Sequence, residues 1–191
     1  MSKKTMILLA NGYEEVEALA VVDVLRRANL AIDMVSITGK LETVGDHNIV
    51  IKADKLFEDI DEAEYTMVVL PGGLPGSQAL TKHEGVQALL KRFASEHKYI
   101  AAICAAPLAL HEAGIMQNRK GTGYPACCAP AYGDSFQENM VYQDDNIITG
   151  QGPAVSLYFA FKLAEVLSDE ATVQAVKEGM LVPTVEAQLQ K

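Results

Sequence analysis

Tyr99-Ile100-Ala101-Ala102-Ile103-Cys104-Ala105-Ala106-Pro107 passes from a short apolar run into small residues and a proline. An apolar run of this length reads as a buried strand. Pro107 sits where a first-turn proline is tolerated, so a helix over 105–113, closed by Gly114, follows almost at once. The same alternation extends outward on both sides. Upstream, 65–70 is a nearly continuous apolar strand ending in Pro71-Gly72-Gly73, and 86–94 is helical. Further back, 4–10 is a strand followed by Asn11-Gly12, 14–28 is a helix and 31–37 is the next strand. The helix is expected to bury a stripe of Val16, Leu19, Ala20, Val24 and Ala28. Residues 41–52 read as a small antiparallel insertion around Gly45-Asp46-His47. Downstream, 140–142 and 146–149 flank Asp144-Asp145 like a hairpin, and helices follow over 155–167 and 169–178. Strands alternating with helices imply an α/β fold: a doubly wound, mostly parallel sheet with helices on both faces. Chemistry in such sheets gathers at the carboxyl ends of the strands, where loops 11–14, 71–73 and 103–105 converge.

The chain has 191 residues, which suits a single domain over 1–191 with an expected flexible tail from about 183. Hydrophobic residues make up 49% and charged residues 21%, an ordinary globular composition. The net charge of −9 argues against nucleic-acid partners, which need clustered Lys and Arg, and against anionic membranes. The run Met6-Ile7-Leu8-Leu9-Ala10 is short and acids follow it, so no export signal is read at the start. No apolar run reaches the roughly 18 residues of a membrane span. The odd count of three cysteines, two of them adjacent, fits a reducing, cytoplasmic setting.

Cys104 is the leading candidate for chemistry. A strand-to-helix turn flanked by small residues pushes one side chain into the open, and a nearby helix N-terminus favours a thiolate. A buried, inert thiol is the alternative, and the strand-end position weighs against it. Glu14, Glu15 and Glu17 open the first helix. Acids there complement the helix dipole, which accounts for Glu15. For Glu17, deeper in, two readings stand: a dipole partner, or a protonated carboxyl that hydrogen-bonds a sulfur or shuttles a proton. Gly72 and Gly73 read as a plain turn or as a place where backbone N–H groups approach a reacting oxygen. Cys127 and Cys128 read as filler rather than a redox pair. His83 and His97 lie among charges, His111 stands about two turns beyond Cys104, and no spacing resembles a zinc site.

The strings LLANGYEEVEALAVVDVLRRA (8–28), VVLPGG (68–73), AAICAAP (101–107) and GQGPA (150–154) resemble the DJ-1/PfpI superfamily. They look most like its DJ-1 branch, with its bacterial members once called ThiJ-type thiazole-biosynthesis proteins. The resemblance covers about residues 4–182. It implies a flavodoxin-like fold, a homodimer and a nucleophilic Cys104. It also implies an acid at Glu17, a backbone donor at Gly73, and a site bordered by Glu14, Gly72, Ala105, Tyr124, Gly152 and Pro153. The implied activity is a cofactor-free, metal-free glyoxalase or protein deglycase acting on α-oxoaldehydes or glycated protein; the rival is a redox-sensing or chaperone-like stress protein. The protease-like branch carries a histidine after the cysteine, where this chain has Ala105, which disfavours a peptidase. In the DJ-1 branch a histidine reaches the sulfur from a later loop, and the matching position is Tyr124. His47, near a partner-facing arginine of that branch, reads as a solvated loop residue.

Overall fold

The computed structural model describes residues 4–189. Strands β1 (Lys4–Leu9), β2 (Ile32–Ser36), β5 (Lys55–Leu56), β6 (Tyr65–Leu70), β7 (Tyr99–Ile103), β8 (Val141–Asp144) and β9 (Ile147–Gly150) form one sheet in the order β5-β2-β1-β6-β7-β9-β8. Every pairing is parallel except β8 with β9, the hairpin read around Asp144-Asp145. Strands β3 (Glu42–Val44) and β4 (Val50–Lys52) pair antiparallel as a separate ribbon, as 41–52 was expected to do.

Alternation along the strands divides the core in two. Ile7, Leu9, Met67, Val69, Ala101 and Ile103 face one layer. That layer is closed by α1 (Glu15–Arg27), α6 (Ser156–Leu167) and α7 (Glu170–Gly179). Met6, Leu8, Val68, Leu70, Ile100 and Ala102 face the other. There α2 (Leu74–Lys82), α3 (Glu84–Ser95), α4 (Pro107–Glu112) and α5 (Pro125–Tyr132) pack. This is the flavodoxin-like, doubly wound architecture, in a single domain.

Several elements depart from the sequence expectation. Helices α2 and α5 form where none was read. Pro75 and Gly76 stand in the first, and Pro125 and Pro130 in the second, so neither segment advertises helix. Cys127 and Cys128 therefore lie on a helix and not in a loop. The segment from 183, expected as a tail, continues as helix α8 (Val182–Leu189), and residues 190 and 191 lie outside the described ones.

The buried stripe of α1 is also rotated. Ala18, Val21, Val24, Leu25 and Ala28 are buried, whereas Val16 and Leu19 are exposed at 55% and 39%. The physical reason is Glu17, which is itself fully buried. It heads the 17/21/24/28 arc at helical spacing, so a carboxyl occupies a core position that a hydrophobicity pattern passes over.

Candidate active site

Cys104 follows directly on β7 at the sheet's carboxyl edge. Its φ is +62°, a left-handed backbone that L-residues adopt only under constraint. The constraints are visible. Its N–H donates to Gly150 O at 2.9 Å, and its carbonyl accepts Tyr124 N–H at 2.7 Å and the Cys128 thiol at 3.3 Å.

Glu17 lies behind the sulfur. Its Oε2 accepts the Gly72 N–H at 2.7 Å, and its Oε1 is buried with no hydrogen-bond partner. Gly72 is the spacer between the two groups. A Cβ there would stand 2.5 Å from both the Cys104 Cβ and Glu17 Oε2. Gly73 caps α2 with φ +82°, and its N–H and that of Ala105 bear on the sulfur.

Burial pushes the Glu17 carboxyl up to about 7, although contacts with Cys104 and the Gly72 N–H oppose the shift. Burial, and then the charge of Glu17, push the Cys104 thiol up to about 12 against the pull of the Ala105 and Gly73 N–H groups. The expectation of a sulfur ionised by a helix end is thus corrected. Helix α4 begins only at Pro107 and spans six residues, and its field does not outweigh burial beside a carboxylate. Of the two groups, the carboxyl gives up its proton first.

A cavity of about 360 Å³ opens in front of the sulfur. Glu14, Gly73, Ala105, Tyr124, Cys127 and Pro153 border it, with Asp46 at the rim. Tyr124 caps α5 and is about half exposed. Glu17 and Gly72 stand behind the sulfur and do not line this space. Gly152, expected at the border, does not line the cavity either; it lies one residue before Pro153, and a Cβ on it would meet the Tyr124 ring at 3.5 Å. Sequence reasoning missed Asp46 and Cys127 as wall residues; each belongs to an element whose approach to Cys104 is visible only in three dimensions. Clefts of about 410 Å³ beside α6 and about 420 Å³ beside α7 are lined by no cysteine.

Glu15 has a role that the helix dipole does not describe. It is buried, and its Oε1 accepts His47 N–H at 2.8 Å and Ile49 N–H at 3.4 Å. Its Oε2 meets His47 Nδ1 at 2.9 Å. Burial works against its charge, but these hydrogen bonds prevail and hold the carboxyl below its ordinary value. Hydrogen bonding to Glu15, with help from Glu14, raises His47 in turn. Glu14, Glu15 and His47 have metal-ligating atoms within 4.8 Å of one another, but the Glu15 oxygens are already engaged by the loop. His111, half-buried and edge-on to the Tyr132 ring at 4.2 Å, has its pKa lowered by burial.

A cysteine on a strained strand-end turn, with a buried glutamate behind it, at the edge of a doubly wound sheet, defines a cysteine-centred α/β protein. The chain belongs to the DJ-1/PfpI family, whose sequence model matches residues 3–166, and within it to the DJ-1-like branch. It is 35% identical to protein dj-1beta of Drosophila melanogaster over 185 residues, 95% of this chain and 98% of that one. It is 36% identical to protein DJ-1 homolog B of Arabidopsis thaliana over 161 residues, 84% of this chain but only 37% of that longer relative. The crystal structure of Drosophila DJ-1beta superposes with a TM-score of 0.89, covering 95% of this chain and 98% of that one. An oxidized Toxoplasma gondii DJ-1 also superposes at 0.89, with 32% identity and coverage of 94% and 98%. Among the described residues, no helix is long and apolar enough to cross a membrane.

Proposed function

We propose that this chain is a cysteine-dependent, cofactor-free glyoxalase of the DJ-1 type, acting on small α-oxoaldehydes such as methylglyoxal and, by the same chemistry, on glycated protein. The observation that carries the reading is the Cys104–Glu17 pair: a thiol facing a cavity, backed by a buried carboxyl with one oxygen unpartnered. Ionised Glu17 takes the thiol proton as the sulfur attacks the aldehyde carbon, and hands it to the resulting alkoxide, giving a hemithioacetal. The freed carboxylate then moves a proton from the first carbon to the second through an enediol, leaving a thioester. Water cleaves that thioester, releasing lactate and restoring the thiol. The Gly73 and Ala105 N–H groups steady negative charge as it passes from sulfur to oxygen. Methylglyoxal loss and lactate formation without glutathione test the scheme: wild type turns over and Cys104→Ser does not. Equal loss with both proteins sinks it.

A second reading is favoured by the two N–H groups at the sulfur, which would also cradle sulfinate oxygens, and by the oxidized state of the Toxoplasma relative. In it Cys104 is a peroxide sensor with little turnover. A peptidase is disfavoured because, among the described residues, no histidine borders the cavity. The reading carries with it a cytoplasmic location and a homodimer.

A further inference from the structure

Cys127 and Cys128 are used by neither scheme. Cys127 borders the same cavity as Cys104, on the first turn of α5. Its backbone is tied to the nucleophile through one residue: Tyr124 N–H donates to Cys104 O at 2.7 Å, and Cys127 N–H donates to Tyr124 O at 3.1 Å. We propose that Cys127 is a resolving thiol, which converts oxidised Cys104 into a reversible Cys104–Cys127 disulfide. The proposal rests on Cys104 being the reactive nucleophile, which both readings above share.

The chemistry balances with a hydroperoxide as oxidant. The Cys104 sulfur attacks one peroxide oxygen, the O–O bond breaks, an alcohol or water leaves, and a sulfenic acid remains. The Cys127 sulfur then attacks the Cys104 sulfur and the S–O bond breaks. The hydroxide leaves as water with the Cys127 proton. Two equivalents of a small thiol reduce the disulfide and are themselves oxidised to one.

The Cys127 thiol is half-buried and donates to the Tyr124 carbonyl at 3.4 Å, a contact it gives up to reach Cys104, whereas the neighbouring thiol is fully enclosed. Cys128 is fully buried, and its sulfur is engaged with the Cys104 carbonyl at 3.3 Å, so it points at backbone and away from the cavity. The Cys127 and Cys128 sulfurs lie 3.7 Å apart. Consecutive Cα atoms, however, are only about 3.8 Å apart, inside the roughly 4.4 Å lower bound of ordinary disulfides, so a bond between them would break the helix. The turn that carries Cys127 is held less fully than a regular helical turn. Pro130 lies inside α5 and has no N–H to offer the Ala126 carbonyl, so this turn lacks one of its helical bonds.

Brief treatment of the full chain with hydrogen peroxide, followed by alkylation and peptide mass mapping, tests this. Wild type should lose two hydrogens, join the peptides holding Cys104 and Cys127, and return to both thiols with a small reductant. Cys127→Ser and Cys127→Ala should lose the cross-link and let Cys104 run on to sulfinate, while Cys128→Ser keeps the cross-link. A cross-link that survives in the Cys127 variants, or wild-type sulfinate with Cys127 still open to alkylation, overturns the proposal alone. A Cys104 that takes up neither oxygen nor sulfur, and turns over no methylglyoxal, removes it together with the reading beneath it.

Discussion

A carboxyl that ionises near 7 beside a thiol that ionises near 12 divides the labour unequally. Glu17 is the group that changes charge in the working range. kcat/KM for methylglyoxal should therefore rise with pH and level off above about 7, following one ionisation. Glu17→Gln should lower kcat/KM by roughly 10²–10⁴ and erase the inflection. The same variant should quicken alkylation of Cys104 by iodoacetamide, because it leaves burial in place but removes the charge that adds to it in holding the thiol up. Turnover falling while alkylation rises separates a proton carrier from a mere packing group; both falling together would contradict it. Stability carries the same signature. Glu17 has a folded value near 7 against an ordinary 4.5, so between those pH values the folded chain holds a proton that the unfolded chain has released. Its contribution is full below 4.5 and lost as pH rises through 7, by at most about 3 kcal/mol. Urea unfolding at pH 5 and pH 8 should show wild type losing ground to Glu17→Gln at the higher pH, and parallel behaviour would refute the buried acid.

At the scale of elements, the site depends on glycine spacing and on a loop tied to α1. Gly72→Ala would drive a methyl group to 2.5 Å from Cys104 Cβ and Glu17 Oε2. It should cost turnover at least as much as Glu17→Gln, by kcat rather than KM, with the fold intact by circular dichroism. Glu15→Ala strands the backbone N–H groups of His47 and Ile49. It should lower stability by about 1–3 kcal/mol and leave Cys104 alkylation nearly unchanged. A large change in alkylation would place Glu15 in the thiol's own environment. These elements also mark how far the sequence could be read. The apolar runs of β1, β6 and β7, and the turns after them, declared the sheet and its carboxyl edge, because buried parallel strands are written as continuous hydrophobic segments. The place of Cys104 between a strand and a helix was legible from its flanking residues. The α1 stripe was not, because the pattern was followed through apolar residues while the true arc starts at Glu17. Helix α5 was hidden by its prolines, and with it went the place of Cys127 on the cavity wall. The thiol's protonation could not be inferred either, since it is decided by burial and by a residue far away in sequence.

For the molecule as a whole, the rotation of α1 has a consequence. Val16 and Leu19 face outward and share a shallow apolar groove with Ile49 and Leu157, all four exposed. Isolated exposed side chains need no explanation, but a contiguous apolar face on a chain of net charge −9 does. A second copy bringing the same face is the simplest cover, because one two-fold axis then buries both copies' exposed residues at once. Pro153 borders both this groove and the Cys104 cavity, so a partner seated on the groove would also press on one wall of the site. Leu19→Asp should therefore convert a dimer into a monomer in sedimentation, with helix content kept. It should also raise KM, because the 152–154 loop loses its backing, while the pH inflection stays with Glu17. Unchanged sedimentation would show that this face is not the contact. A monomer with unaltered KM would show that the contact and the cavity share Pro153 without sharing function.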